Sequence, residues 1–230
     1  MDRTLTLALV AAAVSLGSIH TLAPDHWVPF AALARSERWS PRRTALITAA
    51  CGLGHVTASV ALGLLGLLFG LELLQTFGQR MESVSGLLLI GFGLAYGTWG
   101  LHRSFRARAH DHAHAHGHAH GHLIDHQSPA TSHDDLHRPL TAWTLFLLFS
   151  ADPCVAVIPL LFAAAPLGWP GIVAVVLAYE VATIGTMVAL VLPARAAAGA
   201  VHGAWVDRWG DAIAGGVVAL IGIVVVSLGI

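Results

Sequence analysis

Three side chains able to ligate a transition metal stand close together in His20-Thr-Leu-Ala-Pro-Asp25-His26, bracketed by the apolar runs Leu5 to Ile19 and Trp27 to Leu33. An ionisable group near the centre of a bilayer costs at least ~2.5 kcal/mol and is kept chiefly where it pairs, faces a cavity or handles an ion. The spacing adds a second constraint. Residues six apart on a regular helix are about 120° separated around its axis, so His20 and His26 could not face one ion from an unbroken helix. Pro24 removes a backbone hydrogen bond between them and should kink or unwind the segment, and a break at Ala23-Pro24 would turn His20, Asp25 and His26 toward one centre.

His55, from the next apolar run, completes a nitrogen-and-oxygen set suited to Ni²⁺, Co²⁺ or Zn²⁺ rather than to Ca²⁺, Mg²⁺ or Cu⁺. Thr57 and Ser59 flank it and could support the ligands through their hydroxyls. By helix rise His26 lies about 14 Å from Arg35 and His55 about 18 Å from Arg43. Asp152 and Glu180 fall at comparable distances from Arg138 and Arg195, which sets all four near the middle of a core roughly 30 Å thick. Asp152, Glu180 and the neighbouring Thr183 are therefore the expected coupling or supporting residues. Cys51 and Cys154 show no CxxC spacing, so they read as small buried hydrophobes rather than a disulfide framework or thiolate cage.

These groups must be carried by membrane-crossing helices. The chain of 230 residues is 56% hydrophobic and 11% charged with positive mean hydropathy, which favours a polytopic membrane protein over a soluble globule. Six apolar spans fall near 4–34, 44–71, 83–101, 141–165, 170–193 and 212–230. No small-residue cleavage site separates Met1-Asp2-Arg3 and its apolar run from the histidine motif, so the first segment is expected to remain as a span rather than serve as a signal peptide. All 12 basic residues are arginine. Arg35, Arg38, Arg42, Arg43, Arg103, Arg106, Arg108, Arg138, Arg195 and Arg208 follow the first, third and fifth spans, against only Arg3 and Arg80 on the opposite face. The positive-inside rule then makes the arginine-rich face cytoplasmic and leaves both termini outside.

The halves echo one another. Glu82-Ser-Val-Ser-Gly86 opens the third span as Asp211-Ala-Ile-Ala-Gly215 opens the sixth, and Asp25, Pro29, Phe30 and Ala31 are matched loosely by Asp152, Pro159, Phe162 and Ala163. A repeat of three helices inserts its second copy upside down, the logic of many secondary transporters with a midplane ion site. The expected fold is an all-α polytopic membrane protein of six transmembrane helices in two inverted three-helix repeats, residues 1–101 and 141–230. Between them, residues 102–140 hold eleven of the fifteen histidines. His110, His112, His114, His116, His118, His120 and His122 alternate with Asp, Ala and Gly, and such a segment should be a disordered cytoplasmic loop that captures divalent metal weakly and multivalently.

With these residues in view, the chain resembles the nickel/cobalt transporters, whose signature in a broken helix is a histidine, four residues, then Asp-His, matched by His20, Asp25 and His26. The Gly54-His55-Val-Thr57 stretch is similar to a second histidine motif in the group that includes nickel and cobalt efflux and urease-linked nickel permeases. The resemblance implies carriage of Ni²⁺ or Co²⁺ (with Zn²⁺ a further candidate) as substrate across a plasma (inner) membrane, with His20, Asp25, His26 and His55 as ligands. It also implies the lipid bilayer and a cytoplasmic metallochaperone as partners, and no nucleic acid. The chain is shorter than the eight-span uptake members, and its histidine segment is more like the efflux branch. Two other functions fit parts of the chain. Asp152-Pro-Cys154-Val-Ala-Val-Ile-Pro159 is similar to a segment of six-span thiol-disulfide electron carriers, although no cysteine lies near Trp27 to pair with Cys154. A metal-binding membrane sensor or accessory protein without transport is the other. No enzyme is expected: HExxH, a phosphate-cradling glycine loop and a nucleophile motif are all missing from the sequence.

Overall fold

The computed structural model describes residues 3–69, 71–114, 134–152, 154, 156–201 and 203–228, and every regular element among them is helical. In chain order these are α1 (Arg3–Thr21), α2 (Val28–Ser36), α3 (Pro41–Phe69), α4 (Leu71–His114), α5 (Asp134–Ala151), α6 (Val157–Ala164), a 3₁₀ turn (Ala165–Leu167), α7 (Gly168–Ala200) and α8 (Ala204–Leu228). Four stretches among the described residues are long and apolar enough to cross a membrane: Arg3–Thr21, Pro41–Leu68, Val157–Ala200 and Arg208–Leu228. Leu7, Ile19, Leu68, Val181 and Leu220 are all more than half exposed on their outer faces. Such a belt is covered by lipid in a membrane protein and would be an aggregation surface in water.

The apolar runs at 4–34 and 141–165 are each interrupted. α1 stops at Thr21, whose Oγ1 donates to the Gly17 carbonyl at 2.6 Å, and α2 starts at Val28. Pro24 lies between them and has no N–H to continue the ladder. Short turns fill the gap instead, with Ala23 N–H donating to His20 O, His26 N–H to Ala23 O and Val28 N–H to Pro24 O. The second interruption lies between Ala151 at the end of α5 and Val157 at the start of α6.

The region expected to be a loop from 102 to 140 is helical at both ends. α4 runs on through the arginine- and alanine-bearing stretch to His114, and α5 begins at Asp134. Arg and Ala are strong helix formers, and Ser104 Oγ ties this extension to the bundle by donating to Arg208 O at 2.7 Å. Backbone helix thus includes His110, His112 and His114, whereas His116, His118, His120 and His122 lie outside the described residues. The expected third span, 83–101, is the middle of the much longer α4.

α1 packs on α7, α3 lies between α5 and α7, α2 leans on α7 and α8, and α4 pairs with α8. Two large apolar clusters result, with a small third one of Leu89, Leu148 and Val218. One contains Ala13, Val56, Cys154, Val157, Leu161, Val175 and Tyr179. The other contains Phe30, Leu33, Trp39, Cys51, Tyr96, Leu145, Phe149 and Met187. The two helix interruptions meet where these clusters adjoin.

At one end of the bundle the arginines do the joining. α2 closes in a Schellman motif, Arg38 N–H donating to Arg35 O at 3.1 Å and Trp39 N–H to Ala34 O at 2.9 Å, with Arg38 in the left-handed region at φ 52° where glycine is usual. Arg35 donates to the Ala198 and Val201 carbonyls at the C-terminus of α7, satisfying helix-end acceptors and complementing the helix dipole. Arg195 returns the contact by donating from Nε to Trp39 O at 2.9 Å.

Candidate metal centre

The centre is built from the first interruption and from α3. His20 is in the last turn of α1, Asp25 and His26 are in the turn segment, and His55 is near the middle of α3. The ring centroids of His20 and His26 are 4.3 Å apart, those of His26 and His55 5.4 Å, and those of His20 and His55 6.4 Å with nearly parallel planes. His26 and His55 are 3% and 2% exposed and His20 is half-buried, although its Nε2 atom is itself buried. His26 Nδ1 lies 3.0 Å from Asp25 Oδ2 but without hydrogen-bond alignment.

His55 is oriented by the second half of the chain. Its Nδ1 is 3.1 Å from the Phe149 carbonyl in the last turn of α5, a carbonyl that a helix end leaves without an internal partner. Nδ1–H donating there fixes the tautomer and leaves the Nε2 lone pair for another atom, the usual arrangement behind a metal-binding histidine. The buried atoms His20 Nε2, Asp25 Oδ1, His26 Nδ1, His26 Nε2 and His55 Nε2 all lack a hydrogen-bond partner. Leaving a buried polar atom unsatisfied costs ~1–3 kcal/mol, so their concentration in one place calls for a ligand.

Comparison with protein-family models, with curated proteins and with solved structures gives no match for this chain. The centre is therefore read from its own geometry.

Its least expected member is Cys154. The sequence suggested a small buried hydrophobe, and burial is indeed almost complete at 2% exposure. Yet the thiol, one imidazole nitrogen of His20 and one of His55 lie within 4.8 Å of one another. The second interruption delivers it there, and Ser59 fixes the fit: Cys154 N–H donates to Ser59 Oγ at 2.6 Å while Ser59 Oγ–H donates to His55 O at 2.7 Å. One hydroxyl thus locks the α5–α6 interruption onto the turn of α3 that bears His55. The only signal in the sequence was the mirrored position of Asp152-Pro153-Cys154 in the second half, which carried no metal ligand set of its own.

The remaining expected residues divide. Asp152 lines a narrow cleft with Asp25, Leu89, Leu148 and Phe149, beside the histidines on the side of α4 and α5. Thr183 is fully buried on the inner face of α7, where α1 approaches closely at Gly17. Thr57, by contrast, is exposed, because two residues beyond His55 a helix has turned through about 200°. It cannot support the ligands. Glu180 is half-buried on α7, and no hydrogen bond or ion pair among the described residues joins it to the histidines. Cys51 sits in the other apolar cluster, with Trp39 and Met187. The two thiols are both free and lie in different apolar clusters.

Proposed function

We propose that the chain is a membrane permease for a divalent transition-metal ion, nickel or cobalt foremost, held by His20, His26, His55 and Asp25 between the α1–α2 interruption and α3. The observation that carries this reading is the convergence of three imidazoles, those of His26 and His55 buried, each with at least one buried ring nitrogen lacking a hydrogen-bond partner and with a carboxylate beside them. Neutral imidazole with a carboxylate suits borderline divalent ions, and the resemblance of the His20, Asp25, His26 motif to nickel/cobalt transporters points the same way. The cleft shared by Asp25 and Asp152 would give a cation an anionic approach to the histidines. The histidine-rich segment after residue 109 would exchange metal with a cytoplasmic metallochaperone.

The permease reading includes six spans in two inverted halves, in a plasma membrane, with both termini outside. Support for related halves comes from the α4–α8 seam, where the helices run antiparallel and small residues meet: Gly86 faces Val226, Gly93 faces Ala219, Gly97 faces Gly215 and Ile90 faces Gly222. Moving Gly86 forward and Val226 back by one fixed interval gives Gly215 and Gly97, another contacting pair. The same interval turns Gly93 and Ala219 into Gly222 and Ile90. Reciprocal pairing of this kind is what a two-fold axis imposes. The interval also carries Pro24 onto Pro153, Pro41 onto Pro170, and Val28, the first residue of α2, onto Val157, the first of α6. In that register Asp25 corresponds to Cys154 rather than to Asp152. The gathering of Arg35, Arg103, Arg195 and Arg208 at one end of the bundle supports a cytoplasmic assignment for that end.

Metal flux into proteoliposomes tests the reading, with Ni²⁺, Co²⁺, Zn²⁺ and Mn²⁺ offered in turn. Flux of nickel or cobalt should be abolished by His26→Ala and merely slowed by deletion of residues 110–122. Binding without flux for every ion would replace the permease by a metal sensor or accessory protein.

A further inference from the structure

We propose that Cys154 is a metal ligand, so that the ion is held by two imidazoles and a thiolate drawn from both halves of the chain: His20 and His55 from the first, Cys154 from the second. The proposal rests on the metal centre described above and names the class of ion it takes, a thiolate-accepting divalent ion of the zinc, cobalt, nickel and cadmium type.

Four observations converge on the sulfur. Its distance to the two histidine nitrogens, within 4.8 Å, exceeds by at most ~1.3 Å the nitrogen–sulfur separation of a tetrahedral site with metal–nitrogen bonds of ~2.0 Å and metal–sulfur bonds of ~2.3 Å. Small rotations of the side chains close that difference. The Nε2 atoms of His20 and His55 have no partner, and the Phe149 carbonyl already occupies Nδ1 of His55. Tyr179 Oη lies 2.8 Å from Cys154 Sγ, and a phenol hydroxyl donating to sulfur supports a thiolate as an outer partner supports a metal-bound ligand. Finally, the internal register sets Cys154 where the first half has Asp25, so the two interruptions present one anionic ligand each, an oxygen in one half and a sulfur in the other.

The chemical consequence is selectivity. Sulfur disfavours Mg²⁺, Ca²⁺ and Mn²⁺ and raises affinity for borderline and soft ions. The thiol proton leaves to solvent as the metal–sulfur bond forms. The structural consequence is that the ion bridges the halves, taking His20 and His55 from α1 and α3 and Cys154 from the α5–α6 interruption.

The test is a Co²⁺ titration of the purified full-length protein followed by absorption. A cobalt–thiolate bond gives a charge-transfer band in the near ultraviolet that imidazole and carboxylate ligands do not give, so metal on the histidine-rich segment is silent. The expected result is a saturable band in the wild type and in Cys51→Ala, its loss in Cys154→Ser, and at least tenfold weaker binding at this site in Tyr179→Phe. The wild-type spectrum decides even where a variant folds poorly. Saturable Co²⁺ binding that His55→Ala removes, with no thiolate band in the wild type, overturns the sulfur ligand and leaves the histidine centre standing. A band lost in Cys51→Ala but kept in Cys154→Ser overturns it as well. Co²⁺ binding indifferent to His55→Ala removes the centre itself.

Discussion

The arginine-bearing end of the bundle and the meeting point of the two helix interruptions are both rich in polar side chains, yet they differ in how those side chains are satisfied. At the arginine end Arg35 and Arg195 donate to carbonyls of α7 and of the segment after α2. Tyr96 donates to Glu37 at 2.8 Å, Ser36 to Asp211 at 3.0 Å, and Arg103 to the other Asp211 oxygen at 3.1 Å. Trp39 Nε1 is the exception there. At the interruptions, five ring or carboxylate atoms on four residues have no partner. A saturated network holds elements in place and asks for nothing more. A buried set of orphan lone pairs destabilises the protein until something binds it. The first region is nearly saturated by its own hydrogen bonds, and the second leaves its ring and carboxylate atoms for the ligand proposed above.

The largest effect that would break this contrast is on His55. His55→Ala should abolish metal flux and remove metal-induced thermal stabilisation, which for an ion at a hundred times its dissociation constant is about 2.7 kcal/mol, while the metal-free protein stays folded with a loss of about 1–3 kcal/mol from the stranded Phe149 carbonyl. If the metal-free protein collapses instead, the centre is a structural network like the other. An effect of similar size, but on folding alone, is expected at the α4–α8 seam. A side chain at Gly215 would collide with the Gly97 backbone, so Gly215→Val should destabilise by ~3 kcal/mol or more, seen as loss of folded protein in size-exclusion profiles. Arg195→Ala should cost about 1–3 kcal/mol by stranding the Trp39 carbonyl. Flux per folded molecule should stay near normal, and a selective loss of flux would show that the arginine end also takes part in transport. The smallest change sharpens the picture of α2. Arg38→Gly relieves a left-handed residue worth ~1 kcal/mol and should leave the melting temperature unchanged or slightly raised.

Much of this arrangement is legible in the residues. Pro24 between two histidines on one apolar run forecasts an interrupted helix because proline cannot donate to the ladder, and α1 and α2 are separated there. Long apolar runs forecast helices because only helices and closed barrels satisfy their backbone in lipid. The extension of α4 to His114 was hidden, since low apolar content reads as disorder, whereas helix propensity and a tie to the Arg208 carbonyl suffice at a helix end. Thr57 was misread for a different reason: nearness in sequence to His55 is not nearness around a helix axis.

By itself the sequence determined the all-helical class, the interruption at Pro24 and the presence of imidazoles within long apolar runs, because proline geometry and backbone satisfaction in lipid act locally. Only the tertiary structure decided which side chains share one centre. Cys154 meets His20 and His55 through contacts between segments nearly a hundred or more residues apart, through the Ser59 bridge and the Phe149 carbonyl. No local propensity encodes such a meeting, since it depends on how two interrupted helices cross.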